Sequence, residues 1–591
     1  MRKPLTDEDL LERASIDGRV AFAVTAFVLA VGLVALLDRV GVPERIVGVL
    51  APVVLLAGLA IVGLLLRSMR ISRFHAGGRA VPAPYAGLAF MALSAGLFLP
   101  FLPPVPGGAS LTGLLIGFGL GLLLAALVTG PLLRKTGAFS LPDLLSGRFP
   151  QLGLRLGVVT VVGAVALLIA AAGFEMAVRG LILIIDMPRP FASPLVGLIL
   201  VFIVAPGGIA GVVWAATGAA GILLASLVLP LAILLVQGAS LPFPVVGDRA
   251  LWQQASDMMA AWHGATPGVF DNGGLMTIVA IALGIAALGP LLQPAMTCND
   301  VSAARRAGFA ALGWSGALII IVAIGMASSA LAVDMMAAGQ AADALPSYFY
   351  IASGKGLLTI CGQVAATPDA ALAACKAQSG FAGTLRPQDI AVSGAGLVAG
   401  LPRLQGFGAA FAGLVGAGLT AVAITLASSG VHAFGTAIGH DLFFRVQDIG
   451  ALGSRRLAVS RLAMAGAIVF IGVVAARTPL NPIAMISLAL VFSAAVVAPL
   501  TALSLWPRAA APDAAIALLV GLLVAGVVIG LGDGNPSPER LAASALAAFA
   551  AALATGLATS LRRNEEQSRS GRIFVEGVLH GDSDLLNTDR G

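Results

Sequence analysis

Charged residues are scarce in this chain, and their scarcity excludes a soluble globular protein. Asp, Glu, Lys and Arg make up 11% of the 591 residues, whereas 58% are hydrophobic. The surface of a soluble domain needs about twice that charged share, because about 25% of its residues are usually charged. Segments of about 20 apolar residues recur instead, each long enough to cross a bilayer. The composition therefore predicts an all-α polytopic membrane protein.

Cysteine and catalytic motifs are also nearly absent. The chain has three Cys and no P-loop, protein-kinase, zinc-type Cys/His or G-x-S-x-G pattern in a suitable place. These absences argue against an ATP-driven pump, a receptor kinase or another enzyme, and we expect no organic cofactor. The formal net charge is +6, but no basic block is interleaved with aromatic residues, so nucleic acid is not an expected partner.

About fourteen segments have the length and hydrophobicity of membrane-spanning helices. They lie near residues 19–38, 46–66, 86–106, 110–132, 155–182, 192–206, 209–236, 273–293, 309–333, 405–438, 459–476, 482–506, 512–531 and 540–560. An even number of spans places both ends of the chain on the same side of the bilayer.

The distribution of Lys and Arg predicts which side that is. With the two tails, 1–18 and 561–591, about 24 of the 35 basic residues lie on one side, which we take as cytoplasmic. We therefore expect a multi-pass protein of a plasma membrane of the bacterial inner-membrane type, with both termini cytoplasmic. The opposite side holds two longer exported loops, 237–272 and 334–404.

Ten of the predicted helices divide into two groups of five. Two N-terminal helices at 19–66 and two C-terminal helices at 512–560 are set aside, which leaves 86–236 and 273–506, the second group including the loop 334–404. The first group begins in the cytoplasm and the second begins outside. Two five-helix units of opposite orientation are the arrangement of inverted-repeat secondary transporters.

Two of the three cysteines, Cys361 and Cys375, fall in the same exported loop. A disulfide between them is compatible with an oxidising compartment, and two free thiols are the alternative. Cys298 falls in a predicted cytoplasmic loop, where we expect it to be reduced.

A polar stripe interrupts one of the apolar helices. Hydroxyls and one imidazole recur at three- and four-residue spacing, so several share a helix face. The stripe comprises Thr425, Ser428, Ser429, His432 and Thr436, and it runs into His440 and Asp441. Such a stripe costs free energy in lipid unless it faces a partner or a solute path. The alternative is that each Ser or Thr hydroxyl bonds to a carbonyl of its own helix.

Other polar residues have structural as well as functional interpretations. Glu175 and Arg179 are four residues apart on one helix, so they predict either an ion pair near the outer interface or a site that attracts a carboxylate substrate. His432 suits either proton coupling or a neutral hydrogen-bonded core position. Ser140 and Asp143, around Pro142, form the S-x-x-D start of a short surface helix.

Several segments resemble, in order and in topological placement, those of the sodium:solute symporter family. They are RSMRISRFHAGGRAVPAPYAGLAFMALSAG, LRKTGAFSLPDLLSGRFP, PGGIAGVVWAATGAAGILL, LGPLLQPAMTCNDVSAARRAGFAALGW and GTAIGHDLFFRV. The resemblance extends from about residue 60 to residue 530 and is strongest to the acetate-permease branch, the cation/acetate symporters.

This resemblance implies a LeuT-type core, in which a broken first helix and the eighth helix hold a sodium ion. The expected break is Ala92–Gly96, followed by Pro100, Pro103 and Pro104. Na+ would then be the coupling ion. Its expected ligands are backbone carbonyls of Ala92 and Ala95 and the hydroxyls of Thr425, Ser428 and Ser429. The expected substrate-binding residues are Ser94, Gly96, Arg179 and His432, and the expected gating residues are His440 and Asp441.

Two positions depart from the pattern of the family. Thr425 lies where related symporters carry a sodium-binding serine, but the next position is Leu426, where a second hydroxyl is common. The first core helix, with the sequence FMALSAGLFLP, has no carboxylate. The substrate site is therefore expected to be more apolar than in the acetate-permease branch.

The sequence thus predicts a secondary transporter coupled to sodium, with protons as the other option. The solute would be small and organic, and a monocarboxylate such as acetate is favoured; an amino-acid carrier would differ only in substrate. A degenerate, non-transporting symporter homologue that acts as a membrane sensor or partner subunit is the alternative from a different class. The extra N-terminal helix offers a docking surface for a small membrane subunit.

Overall fold

The computed structural model describes residues 7–102, 111–238, 240–243, 248–263, 272–378, 381–448, 450–531, 537–563 and 569–580. Two of the prolines expected to end the first core helix, Pro103 and Pro104, lie outside these residues. The helices of the first half are α1 Asp7–Arg39, α2 Glu44–Leu65, α3 Ile71–Ala76, α4 Ala83–Phe98, α5 Leu111–Leu124, α6 Gly130–Thr136, α7 Leu141–Arg148, α8 Leu152–Ile185, α9 Arg189–Val236 and α10 Arg249–His263.

The second half is also helical, apart from two short strands. Its helices are α11 Asn272–Ala286, α12 Gly289–Met296, α13 Val301–Ala337, α14 Ser347–Gly354, α15 Pro368–Lys376, α16 Gly394–Leu404, α17 Ala409–Thr436, α18 Gly453–Arg477, α19 Pro482–Phe492, α20 Ala498–Ser504, α21 Ala511–Gly530, α22 Pro538–Leu561 and α23 Arg569–His580. The strands are β1 Leu358–Ile360 and β2 Ile390–Val392. Wide π-helical turns occupy Ala125–Thr129, Ala437–Gln447 and Ser493–Val497.

Twelve helices of the described residues are long and apolar enough to cross a membrane, and α11 with α12 forms a bent thirteenth candidate. One of the twelve, α9, has 48 residues. At 1.5 Å per residue it is about 72 Å long, about twice the thickness of a bilayer core. Gly208 breaks it with a positive φ, and a Cβ added to Gly211 would overlap the Ile203 carbonyl oxygen. The chain therefore folds back, and α9 has two arms, as the predicted helices 192–206 and 209–236 require.

The pairing of helices has the symmetry of an inverted repeat. The first helix of the first unit, α4, packs against α13, the second helix of the second unit. Correspondingly α11, the first helix of the second unit, packs against α5. The third helix of each unit, α8 and α17, cross closely at the centre. The core therefore contains two five-helix units that exchange equivalent contacts.

Glycine makes the central crossing possible. A Cβ added to Gly173 of α8 would meet the Ala423 carbonyl oxygen of α17 at 2.8 Å and overlap the Ala427 nitrogen. A Cβ added to Gly430 of α17 would meet the Ala166 carbonyl oxygen of α8 at 2.6 Å. The backbones of these two helices are therefore in contact, as is usual where small residues meet in a membrane.

The first core helix is not broken where the resemblance predicted. Residues Ala92–Gly96 are helical, and α4 continues to Phe98 before a single 3₁₀ turn at Leu99–Phe101. The Leu99 amide donates to the Ala95 carbonyl, so that oxygen is already used. The surroundings are apolar, and carbonyls freed by unwinding would lack partners there. The expected break at 92–96 is wrong for this conformation.

The second unit has the break instead. α11 and α12 are separated by Ala287 and Leu288 and bend by 48°. Pro290 stands in the first turn of α12, where its missing amide hydrogen costs nothing. This bend turns α12 toward α17.

The bundle has two chemically different ends. The end that holds α3, α7 and the segment Ala437–Gln447 is called the arginine-rich end below. The other end holds α14, α15, α16 and the antiparallel strands β1 and β2, and is called the disulfide end. There the structure bonds Cys361 to Cys375, with their Cα atoms 5.0 Å apart. Cys298 is a buried free thiol.

We predict that Gly173→Ala lowers the melting temperature of the purified protein, because the methyl group overpacks the α8–α17 contact by about 1–3 kcal/mol. Gly466→Ala on α18 is the matched control, since no heavy atom lies within 4 Å of a Cβ at that position. Thermal unfolding in detergent measures both. Equal melting temperatures for the two variants would contradict the close contact.

Candidate functional site

The hydroxyls of α17 form a fully buried layer at the middle of the bundle. Thr425, Ser428 and Ser429 are each 0% exposed. Thr425 Oγ1 donates to the Val422 carbonyl at 2.9 Å. Ser428 Oγ and Ser429 Oγ donate in the same way, over 2.8 and 2.9 Å, to carbonyls of the preceding turn. The alternative of bonding within the helix is thus realised, although each oxygen keeps lone pairs that a cation can use.

A neighbouring residue, Gln293 of α12, was missed by the sequence analysis. Its Nε2 donates to the Ser429 carbonyl at 2.8 Å, and the residue is 1% exposed. Its Oε1 has no hydrogen-bond partner among the described residues. The available signal was a lone amide in an apolar stretch, GPLLQPAM, directly after a Gly-Pro helix start. Gln293 therefore brings an unsatisfied amide oxygen to the part of α17 that carries Ser429.

The predicted residues of α4 reach this layer only in part. Gly96 packs against α17 next to Thr425, because a Cβ there would meet the Leu426 Cβ at 3.0 Å. Ser94 instead donates to the Met91 carbonyl and lies 2.9 Å from Ser315 Oγ of α13. Ala92 and Ala95 are fully buried in regular helix. The carbonyls proposed for sodium are therefore held in the α4 helix.

Arg179 belongs to an ionic cluster at the disulfide end. Its Nε lies 2.8 Å from Glu175 Oε1, as the four-residue spacing predicted. Arg189, at the start of α9, completes the cluster with two bonds of 2.8 and 2.9 Å to the same carboxylate. Arg189 also donates to the Ala475 carbonyl of α18, and Arg179 donates to the Leu480 carbonyl. The cluster ties the ends of α8, α9 and α18 together.

Burial differs among the three charges of that cluster. The Glu175 side chain is 0% exposed, Arg189 19% and Arg179 48%. Two guanidinium groups share one carboxylate, so one positive charge is left over, and Arg179 presents it to solvent. Sequence reasoning missed Arg189 because it lies on the next helix, outside the periodicity that pairs Arg179 with Glu175.

Three of the five histidines of the chain meet on the path from the hydroxyl layer to the arginine-rich end. His432 Nε2 lies 3.3 Å from the Phe74 carbonyl, and its Nδ1 has no hydrogen-bond partner in the part of the chain that the structure describes. The rings of His432 and His75 have centroids 6.2 Å apart, and those of His75 and His440 are 5.5 Å apart. His75 Nδ1 lies 3.2 Å from Thr436 Oγ1.

A pair of carboxyls closes the row at the arginine-rich end. Ser140 caps α7 by accepting the Asp143 amide at 3.0 Å, as its S-x-x-D pattern predicted. The same hydroxyl donates to Asp441 Oδ2 over 2.7 Å. Asp143 in turn pairs with Arg445 at 3.3 Å and faces His440 Nε2 at 3.7 Å. His440 and Asp441 lie on the π-helical segment Ala437–Gln447, a geometry that is frequent at functional sites.

Electrostatics sets the charge of two groups in this region that lie outside the candidate spans. Burial of Asp143 opposes its ionisation, but the facing His440, then Arg445 and the Phe139 amide, hold its pKa well below the usual range. Burial, with nearby His440, His432 and Arg456, holds the pKa of His75 well below the usual range. Asp143 is therefore an anion and His75 is neutral near pH 7.

At the disulfide end, a cavity of about 680 Å³ lies between α10, Asp334 of α13 and Pro387. Trp262 and Asp257 line it, and no residue predicted as part of a site does.

Comparison by sequence identifies no relative: no protein-family model and no characterised protein matches the chain. Comparison by structure does. The substrate-bound, outward-open state of a Na⁺-coupled sialic acid symporter aligns with a TM-score of 0.62 and 15% identity, over 86% of this chain and 96% of that one. The chain therefore has the LeuT-type fold of five plus five helices with extra flanking helices, as predicted. That likeness does not distinguish the acetate-permease branch.

Two further transporters align less closely. Mhp1, a nucleobase-cation-symport-1 family transporter in a closed conformation with bromovinylhydantoin bound, has a TM-score of 0.47 at 13% identity, over 85% of this chain and 100% of that one. A manganese transporter from Eremococcus coleocola has a TM-score of 0.40 at 15% identity, over 85% of this chain and 95% of that one.

We predict that Arg189→Gln costs about 3 kcal/mol of stability, because it removes the more buried partner of a buried carboxylate. Arg179→Gln should cost less than about 1 kcal/mol, since that guanidinium is half exposed. Denaturation of the two purified variants in detergent compares them. A larger loss for Arg179→Gln would show that the assignment of the two arginines is reversed.

We also predict an acid-dependent loss of stability that His75→Gln reduces. Below a pH of about 6.5 the unfolded chain binds a proton at His75 that the folded chain does not, so stability falls as the pH falls. Gln retains a donor for Thr436 but does not titrate. Melting temperatures measured from about pH 7.5 to about pH 5.5 test this prediction. His580→Gln is the control, because His580 is exposed. Identical pH profiles for wild type and His75→Gln would contradict it.

Proposed function

We propose that this chain is a cation-coupled secondary transporter that uses a sodium gradient to import a small organic solute by alternating access. The observation that carries the proposal is the buried layer of Thr425, Ser428 and Ser429 oxygens beside the unpartnered Gln293 Oε1, within a LeuT-type fold. Sodium is a hard cation that prefers oxygen ligands, by the logic that holds for calcium and magnesium.

The cation site would be completed by movement rather than preformed. Each hydroxyl donates its proton to a helix carbonyl, which leaves its oxygen able to accept a cation. Leu426 fills the position next to Gly96, so α4 would have to shift or unwind before the Ala92 or Ala95 carbonyl could contribute. Unwound helix is tolerated at membrane depth where it lines such a site.

The solute is proposed to be a small monocarboxylate such as acetate. The cluster of Glu175, Arg179 and Arg189 carries one positive charge in excess, and Arg179 is half exposed at the disulfide end. A leftover positive charge at the entrance attracts anions. Ser94, Gly96 and His432 are proposed to contact the solute, and His440 with Asp441 to form the gate at the arginine-rich end, which the charge rule makes cytoplasmic.

A second candidate is a non-transporting homologue that acts as a membrane sensor or partner subunit. The regular helix of Ala92–Gly96 and the hydroxyls bonded within α17 favour it, because neither provides a ready ion site. This candidate predicts ligand binding without net flux. It also predicts that substitutions in the hydroxyl layer leave function unchanged.

The test is uptake of a panel of short radiolabelled carboxylates into proteoliposomes that contain the full chain, with a sodium gradient, a proton gradient or neither. Thr425→Val should raise the sodium concentration for half-maximal uptake about tenfold, equivalent to about 1.4 kcal/mol. Thr501→Val is the matched control, since Thr501 is also buried and bonds to its own helix at 2.8 Å.

Uptake that depends on sodium and is weakened only by Thr425→Val supports the symporter. Absence of uptake with every gradient, together with unchanged ligand binding in Thr425→Val, supports the second candidate instead.

A further inference from the structure

The Asp441 carboxyl is buried and only half satisfied. The residue is 2% exposed. Ser140 Oγ donates to Oδ2 at 2.7 Å, whereas Oδ1 has no hydrogen-bond partner among the described residues. A buried carboxylate anion with an unused oxygen is costly, because burial removes it from bulk solvent. A protonated carboxyl in the same place carries no charge and is much less costly.

A second carboxyl lies next to it. Oxygens of Asp143 and Asp441 and a ring nitrogen of His440 all lie within 4.8 Å of one another. Asp143 has the partners that an anion needs, namely Arg445 at 3.3 Å and the Phe139 amide at 3.1 Å. Two carboxyls this close do not both ionise readily, so one retains a proton. The partners assign the charge to Asp143 and the proton to Asp441.

The arginine side chains near Asp441 contact other groups. Arg445 pairs with Asp143, and Arg155 of α8 donates to the Arg445 carbonyl. Arg456 of α18 lies over the Phe444 ring, with its guanidinium carbon 3.3 Å from the ring centroid. Among the described residues, no basic side chain forms an ion pair with Asp441.

His440 is directed at the other carboxyl, since its Nε2 lies 3.7 Å from Asp143 Oδ2. Arg456 Nη2 lies 3.2 Å from His440 Nδ1 and can only donate, so Nδ1 accepts and Nε2 carries a proton. The other two histidines are also buried: His75 contacts Thr436, and His432 contacts the Phe74 carbonyl. An Nε2–H group and two guanidinium groups also disfavour a metal ion between these side chains, because a metal requires the free Nε2 lone pair.

We propose that Asp441 is a proton-binding site of the transport cycle. The proton resides on Oδ1 while the arginine-rich end is closed. Opening of that end separates α7 from the π-helical segment, admits water to Asp441, and releases the proton to that side. This inference rests on the proposed transport function, and it makes the proton a second coupled ion beside sodium.

Infrared spectroscopy of the full chain in lipid tests the site without a substrate. A protonated buried carboxyl gives a C=O stretch that a carboxylate does not have. The expected result is such a band at neutral pH in wild type, absent in Asp441→Asn and retained in Asp448→Asn, whose carboxylate pairs with Arg455 at 2.9 Å. Ser140→Ala should shift the band by removing the hydrogen bond to Oδ2, which gives an independent readout if Asp441→Asn does not fold.

A band that survives Asp441→Asn and is unmoved in Ser140→Ala, or no band in wild type, would overturn the proposal.

Thermal stability gives a second comparison of the two carboxyls. Asp441→Asn should leave the melting temperature nearly unchanged, since it replaces one neutral group by another, whereas Asp143→Asn should lower it by removing the anion from Arg445. If the band is present and assigned to Asp441 but no gradient drives uptake, the proton site stands and the proposed function fails.

Discussion

The contact between the backbones of α8 and α17 is the constraint on which the arrangement of the bundle depends. Gly173 and Gly430 remove the side chains that would separate the two helices, so the helices cross in direct contact. Polar groups on α17 are then excluded from lipid, and each must find its partner inside the protein. The hydroxyls find it in their own helix. The Ser429 carbonyl accepts from Gln293 of α12, and the His432 imidazole contacts the Phe74 carbonyl of α3.

Sequence patterns correctly predicted the features that depend on neighbouring residues of one helix. The cap at Ser140 and the pair of Glu175 with Arg179 form as predicted, because both depend on spacing within one helix. The five-plus-five arrangement was also predictable, since the length and order of apolar segments are written in the sequence. Contacts between segments that are distant in the sequence could not be predicted. Arg189 and Gln293 have no periodic signal, and their partners are known only once α8, α9, α12 and α17 are packed.

The expected break in α4 shows why a family pattern does not determine local geometry. A backbone unwinds inside a membrane only when side chains, ions or water satisfy the freed groups. Around Ala92–Gly96 the neighbours include Leu426 and the chain supplies no carboxylate, so the helix is retained. The bend occurs between α11 and α12, where Pro290 and Gly289 make it inexpensive and Gln293 can bond to α17.

The cluster at the disulfide end has a mechanical consequence. Arg189 bonds simultaneously to Glu175 on α8 and to the terminal turn of α18, so three helices are clamped at one end as a tripod. A tripod can tilt as a unit, but its legs cannot slide past one another without breaking a buried ion pair. At the opposite end, α7 is linked to the π-helical segment by the Ser140–Asp441 hydrogen bond and by the ion pair of Asp143 with Arg445. Any motion that opens the arginine-rich end would therefore turn about this clamped group of three helix ends.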